Sequence, residues 1–314
     1  MAENIIEIKN LVKRFGSFTA VDKMNLYVKE GEILGFLGPN GAGKTTTISM
    51  LTTLINPTEG DATIAGFDLR KEGAKVRSVI GVVPQSFSLF PELTAQENLE
   101  YIGRLYGLSK EKIKQQSETI LKRVALYEHR KRIAGVYSGG MKQRLSIAAS
   151  IMSNPKILFM DEPTTGLDPQ SRIAIRELTK ELNKQGMTII YTTHDMEEAE
   201  KICDRILIMD GGKVIGSGTS EELKHKFISG FLLEVKINQK LSSDIINQIR
   251  KIPHVTKVNC EKNVLNVYVD KKDEVFYKVS KLLHDKKVIM DEIQYKIPTL
   301  EEVFIQLTRK DLRD

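Results

Sequence analysis

The sequence predicts an α/β core built on parallel strands, with an inserted α-helical subdomain, followed by a small α+β domain at the C-terminus. Three observations lead there. Short apolar runs of strand length occur at 33–37, 79–83, 157–160, 187–191 and 206–209, several of them separated by segments of helical period. A mostly helical stretch from about 91 to 155 lies between the second and third of these runs. Beyond Gly216-Ser217-Gly218 a new alternating pattern begins. The chain has 314 residues, enough for about two domains.

Taken in order, Met24, Leu26 and Val28 alternate with polar residues as a half-buried strand does. Lys29-Glu30-Gly31-Glu32 then turns the chain into Ile33-Leu34-Gly35-Phe36-Leu37, a run suited to a strand buried on both faces. A Gly-rich loop and a helix from 47 to about 54 follow. In the insert, Thr94-Ala95-Gln96-Glu97 has capping-box spacing. Leu145, Ala148, Ala149 and Met152 line one face of a helix that Asn154-Pro155 is expected to stop. After a short helix near 221–226, Ser229-Gly230 reads as a boundary, giving domains 1–230 and 231–314. Leu233, Val235 and Ile237 alternate, Ile245, Ile246, Ile249 and Ile252 have helical spacing, and Leu265, Val267 and Val269 alternate again. Val275, Phe276, Val279, Leu282 and Leu283 form a second amphipathic helix, and 288–297 a last strand. The order βαββαβ is that of a ferredoxin-like split βαβ unit, capped by a helix from about 300 to 309. With no catalytic cluster in this part, a regulatory or dimerising role is expected.

Composition excludes several classes. At 41% hydrophobic and 28% charged, the chain is neither disordered nor collagen-like. No apolar run approaches the roughly 18 residues of a membrane span. The acidic start, Met1 to Glu7, lacks the features of a secretory signal, so a cytosolic location is expected. Cys203 and Cys260 have no ligand spacing and read as reduced thiols. Trp is absent and aromatics are few, which argues against a stacking platform for single-stranded nucleic acid, and no specific nucleic acid binding is expected. The net charge of +6 is uneven: 101–144 carries eleven Lys/Arg against three Glu. Such a patch suits anionic lipid head groups, nucleic acid or a solvated helix face, and charge does not choose among them.

Chemistry concentrates in three places. Gly38-Pro39-Asn40-Gly41-Ala42-Gly43-Lys44-Thr45-Thr46 satisfies G-x-x-x-x-G-K-[ST] between a strand and a helix, the context that marks a P-loop. Its backbone amides can turn around phosphate oxygens, Lys44 can reach the β/γ-phosphates, and Thr45 can ligate Mg²⁺. Ile157 to Glu162 is an apolar strand ending in two carboxylates, with Asp161 expected in the metal shell and Glu162 as general base. Ser138-Gly139-Gly140 opens a helix and offers a hydroxyl and a helix N-terminus to an anion.

Together with Gln85 after the strand 79–83, Tyr137-Ser138-Gly139-Gly140-Met141, Gly166-Leu167-Asp168 and His194, these motifs resemble the ATP-binding cassette of ABC transporters over about residues 5–220. The resemblance implies a P-loop ABC ATPase core using ATP and Mg²⁺. It implies that Gln85 contacts Mg²⁺ or water and couples to the membrane subunit, although Gln85 also reads as a polar loop residue. Asp168 resembles the aspartate that meets the other protomer, and with Pro169 it also reads as a helix N-cap. His194 resembles the switch histidine near the γ-phosphate, and a lone histidine before a helix is otherwise a cap or core residue. Phe15 stands where the family stacks an aromatic on adenine, and a buried strand-end phenylalanine is the other reading. Tyr137 and Met141 depart from the common Leu-Ser-Gly-Gly-Gln ends. Together with Pro298-Thr299-Leu300-Glu301-Glu302-Val303-Phe304, they resemble ATPases of the daunorubicin-resistance type of antibiotic and multidrug exporter. The implied protein is a homodimeric ATPase subunit, peripheral on the inner face of the cell membrane, that powers a permease on a separate chain. The alternatives are a soluble ABC ATPase acting on ribosomes or DNA, and a regulatory ATP sensor. Neither a second P-loop nor sustained heptads support the first, and the complete motif set disfavours the second.

Overall fold

In a computed structural model that describes residues 4–227, 231–270, 274–296 and 299–311, the chain opens with a long antiparallel hairpin. Its strands are β1 (Asn4–Phe15) and β2 (Phe18–Lys29), and Gly16 in the turn takes the positive φ that a tight reversal needs. β1 was not singled out from sequence, because register shifts along the hairpin break its alternation. β3 (Ile33–Leu37) is buried along its whole length and leads through the Gly-rich loop into α1 (Lys44–Leu51), which starts three residues earlier than its apolar pattern indicates. β4 (Glu59–Ile64) pairs antiparallel with β1, and β5 (Phe67–Asp68) closes a sheet ordered β2-β1-β4-β5.

α2 (Gly73–Val79) then delivers β6 (Ile80–Val83). Three α-helices fill the insert, α3 (Ala95–Leu105), α4 (Lys110–Arg123) and α5 (Gly139–Ser150), with two single 3-10 turns, Tyr127–His129 and Ala134–Val136, between the last two. The capping box of α3 is formed, with Thr94 and Glu97 each satisfying the other's backbone amide. α5 ends at Ser150, before Asn154, whose left-handed φ turns the chain toward Pro155. β7 (Ile157–Asp161), α6 (Pro169–Lys184), β8 (Thr188–Thr193), α7 (Met196–Ile202), β9 (Arg205–Asp210) and β10 (Lys213–Gly218) complete the core.

The central sheet runs β10-β9-β3-β8-β7-β6, and β9, β3, β8, β7 and β6 are mutually parallel. It is a wall between two apolar layers. Along β7, Ile157 and Phe159 face the layer shared with Ile6, Leu11 and Phe36, whereas Leu158 and Met160 face the layer shared with Leu99, Leu145 and Ala148. That division is the period of two expected of a strand, with both faces dry. It explains why the β7 segment reads as continuously apolar.

The chain divides into two compact units, Met1–Ser217 and Gly218–Asp314. The second holds α8 (Ser220–Phe227), β11 (Phe231–Ile237), α9 (Ser243–Arg250), β12 (Val255–Glu261), β13 (Val264–Val269), α10 (Val275–Asp285), β14 (Met290–Lys296) and α11 (Leu300–Asp311). Its antiparallel sheet runs β12-β13-β11-β14, the ferredoxin-like order, with Leu233, Val235, Leu265, Val267, Ile249 and Val279 in its core. β12, with only Val258 fully buried, was the strand whose position the alternation did not reveal. Ser229-Gly230 and Pro298 lie outside the described residues. Among the described residues no helix is long and apolar enough to cross a membrane.

Leu265 is fully buried in the second unit. Leu265→Ala should cost that unit about 2–5 kcal/mol. Hydrogen exchange should show lost protection in β11 and β13 while the amides of β3, β7 and β8 keep theirs; equal loss in both units would contradict two separate cores.

Candidate functional site

The site is assembled at the C-terminal ends of β3, β7 and β8, where a parallel sheet delivers its loops to one edge. After β3 the loop bends through Gly41 and Gly43, both at positive φ. A Cβ on Gly43 would stand 2.5 Å from the carbonyl oxygen of Ala20, so backbone of β2 lies directly against the loop. Gly43 caps α1 without a side chain, which leaves the first amides of the helix open to an anion. Asn40, Gly41 and Thr45 are exposed around this turn, Thr46 is half-buried, and Gly38 is buried against the Met209 carbonyl.

Lys44 folds back under the loop and is only 5% exposed. Its Nζ donates to the carbonyls of Gly38 at 2.7 Å and Pro39 at 3.0 Å, and stands 3.3 Å from Glu162 Oε1. A buried ammonium needs partners on every side, and the loop carbonyls and the carboxylate provide them.

Asp161 and Glu162 part company at the end of β7. Asp161 is buried and its Oδ1 accepts from Thr192 Oγ1 at 2.6 Å. Glu162 takes a left-handed φ of 46°, a conformation that non-glycine residues adopt at a cost and that often marks a working site. Its amide is fastened to Thr192, donating to Oγ1 at 2.9 Å. One residue of β8 therefore sets both carboxylates, because the parallel register places Thr192 beside Asp161. Nothing in local sequence singled out Thr192; only its position just before His194 hinted at it.

Glu162 Oε2 accepts from Thr165 Oγ1 at 3.1 Å and lies 3.1 Å from Nδ1 of His194, itself half-exposed. Burial pushes the Glu162 carboxyl up, but the Lys44 ammonium, then His194 and Thr165, outweigh it and hold the group below the usual glutamate range. Glu162 is thus ionised at neutral pH, as a proton acceptor must be.

Ser138, Gly139, Gly140 and Asp168 gather at the N-termini of α5 and α6. Ser138 caps α5 and is exposed. A Cβ on Gly140 would lie 2.1 Å from Ser171 Oγ, so only glycine lets α6 approach. Asp168 does cap α6, accepting from the Ser171 amide at 2.9 Å and its hydroxyl at 2.6 Å, and the Ser171 hydrogen bonds hold its carboxyl below the ordinary value. Tyr137 is an internal anchor: its hydroxyl donates to the His129 carbonyl at 2.8 Å. Among the described residues no hydrogen bond links this group to Lys44 or Glu162. Gln85 is exposed in the loop after β6. Phe15, at the end of β1, is 51% exposed with Lys13 Nζ 5.0 Å above its ring, so it is not a buried strand end.

The chain is similar to known proteins in both of its units. Residues 21–165 match the family described as ABC transporter, and 218–308 match the C-terminal domain of DrrA1-3-like ATP-binding proteins. The linearmycin resistance ATP-binding protein LnrL of Bacillus subtilis is 38% identical, aligned over 99% of this chain and all of its own length. The daunorubicin resistance ATP-binding protein DrrA3 of Streptomyces coeruleorubidus is 36% identical over 100% of this chain and 98% of its own. Among solved structures, the dimeric post-hydrolysis ATP-binding cassette MJ0796 bound to ADP and Pi is 32% identical, with a TM-score of 0.62 over 68% of this chain and 98% of that one. With a buried lysine under a Gly-rich loop, two divergent carboxylates at the end of β7 and relatives that match from end to end, the chain belongs to the ABC transporter family as an ATP-binding ATPase subunit.

Proposed function

We propose that this chain hydrolyses ATP to drive a permease carried on a separate polypeptide, and that the transporter exports drugs, antibiotics or other amphipathic compounds. The convergence of Lys44, Asp161, Glu162 and His194 at one sheet edge supports the chemistry. The resistance proteins among its relatives support the direction of transport and the class of substrate.

In this reading the amides of the loop 38–45 and Lys44 take the β- and γ-phosphates, and Phe15 stacks on the adenine. The phosphate oxygens compete with Glu162 for Lys44, which frees the carboxylate to accept a proton from the attacking water. His194 holds Glu162 at Nδ1 and faces the γ-phosphate. The Thr45 hydroxyl, the Gln85 amide oxygen and the remaining Asp161 oxygen are hard donors of the kind Mg²⁺ takes, and would hold it. When bound, that ion neutralises charge on the β/γ oxygens. One chain carries one P-loop and one Ser138-Gly139-Gly140 turn, so two copies are needed if each ATP is shared between the P-loop of one protomer and the turn of the other. Asp168, which resembles the aspartate that meets the other protomer, would lie at that shared interface. The basic segment 101–144 suits docking of the subunit at the anionic inner face of the membrane.

Glu162→Gln should bind ATP with near-native affinity yet lose at least about 100-fold in turnover, the usual worth of a positioned base. Lys44→Ala should instead weaken ATP binding in calorimetry. Unchanged turnover of Glu162→Gln would remove the base from the scheme.

Sharing of sites between protomers predicts that Ser138→Arg is inactive alone but regains part of its turnover when mixed with inactive Lys44→Ala protein, each heterodimer having one intact site. Full activity of Ser138→Arg by itself would contradict a shared site.

Because the Glu162 carboxyl is held below its ordinary value of 4.5, its contribution to stability is present above that value and lost as pH falls through the lowered one. The difference in Tm between wild type and Glu162→Gln should drift against the wild type as pH falls below about 4.5.

A further inference from the structure

Behind the Glu162–His194 pair lies a buried carboxylate that the scheme above does not use. Glu198, on α7, is 4% exposed. Its Oε2 accepts two hydroxyl hydrogen bonds, from Thr164 Oγ1 at 2.7 Å and from Thr193 Oγ1 at 3.1 Å. Thr164 lies two residues beyond Glu162, and Thr193 immediately precedes His194. The turn around His194 is closed by the same groups: the Asp195 amide donates to Thr193 Oγ1 at 2.9 Å, and the Glu198 amide donates to Asp195 Oδ1 at 3.0 Å. Two loops that meet in front through Glu162 and His194 are therefore joined a second time behind, through one carboxylate oxygen.

The rear link has a different character from the front one. His194 is half-exposed, so water competes for its contact with Glu162, whereas Thr164, Thr193 and Glu198 are all buried. Both side chains that donate to Glu198 Oε2 are neutral hydroxyls. Its Oε1 and the hydroxyl of the fully buried Tyr191 have no hydrogen-bond partner among the described residues. Burial, and next the charge of Glu198, hold the Tyr191 phenol well above its ordinary pKa. An acid buried against hydroxyls is a poor way to fill space, since an apolar side chain of similar volume needs no desolvation. The geometry accounts for it by what it holds: the left-handed backbone at Glu162 persists only if its surroundings over-determine it.

We propose that Glu198 is a positioning residue, a buried tie that fixes the turn carrying Glu162 against the turn carrying His194 and so sets the distance between the proposed base and the histidine that holds it. The inference rests on the roles assigned to Glu162 and His194 above. It requires an acceptor oxygen at the Oε2 position rather than a charge. Glutamine at 198 can supply that oxygen, and its amide can donate toward the Tyr191 hydroxyl; alanine cannot.

Full-length variants assayed for Mg-ATP turnover, ATP affinity and thermal unfolding test it. Glu198→Ala should lower kcat by about 10- to 100-fold, the scale of a small misplacement of reacting groups, with ATP affinity within about twofold of wild type. Glu198→Gln should restore most of kcat. Thr164→Val, which removes one donor at nearly constant volume, should lower kcat in the same direction, and combined with Glu198→Ala should add little further. If Glu198→Ala does not fold, Glu198→Gln and Thr164→Val decide the question. Native kcat in folded Glu198→Ala or in Thr164→Val, or a Glu198→Gln protein that folds but is inactive, overturns the tie. Glu162→Gln in the same assay separates the two levels: full turnover there sinks the site itself, whereas its loss alongside native turnover in Thr164→Val and Glu198→Ala sinks only the tie.

Discussion

The buried ammonium of Lys44 is the constraint around which the first unit is organised. At 5% exposure it needs a full set of oxygens. Two come from its own loop, through the carbonyls of Gly38 and Pro39, and the third from Glu162, a carboxylate more than a hundred residues away. The first two require the loop to wrap back over the lysine, which the positive φ of Gly41 and Gly43 permits. The third requires β7 to end level with β3, with β8 between them. The same arrangement keeps Glu162 ionised against the opposing effect of burial.

β8 has a larger part than its sequence announces. It lies between β3 and β7, and its last two residues carry the hydroxyls that organise both carboxylate systems. Thr192 binds Asp161 and the Glu162 backbone, and Thr193 binds Glu198. Threonine suits this place because its β-branch favours the strand while its hydroxyl can donate to a carboxylate and accept from an amide. The loop that follows ends in a short helix whose N-cap, Asp195, anchors the turn bearing His194. The half-exposed histidine is consequently presented from a stiff base.

The turn at Ser138 is built on a different constraint, the close approach of α6 to α5. Gly140 leaves room for Ser171, and Asp168 uses both carboxylate oxygens on that same serine. Capping and packing account for Asp168 without any partner molecule, and leave the Ser138 hydroxyl at an exposed helix start. Tyr137, a departure from the commoner leucine at that place, is a further anchor, since its buried ring carries a hydroxyl that reaches the His129 carbonyl.

Sequence alone determined the P-loop, the apolar strand ending in Asp161 and Glu162, the helical insert and the ferredoxin-like second unit, because each is carried by residues close together in the chain. Glycine spacing, alternation and helical period are local quantities, so they survive without the fold. The same locality explains the misses. β1 and β12 were overlooked because bulges and partial burial blur their alternation. The ionic partner of Lys44, the two roles of Thr192 and the buried position of Glu198 were decided only in the tertiary structure. They depend on parallel register between strands distant in sequence, and a one-residue slip of β8 against β7 would turn Thr192 to the opposite face, away from Asp161 and the Glu162 amide.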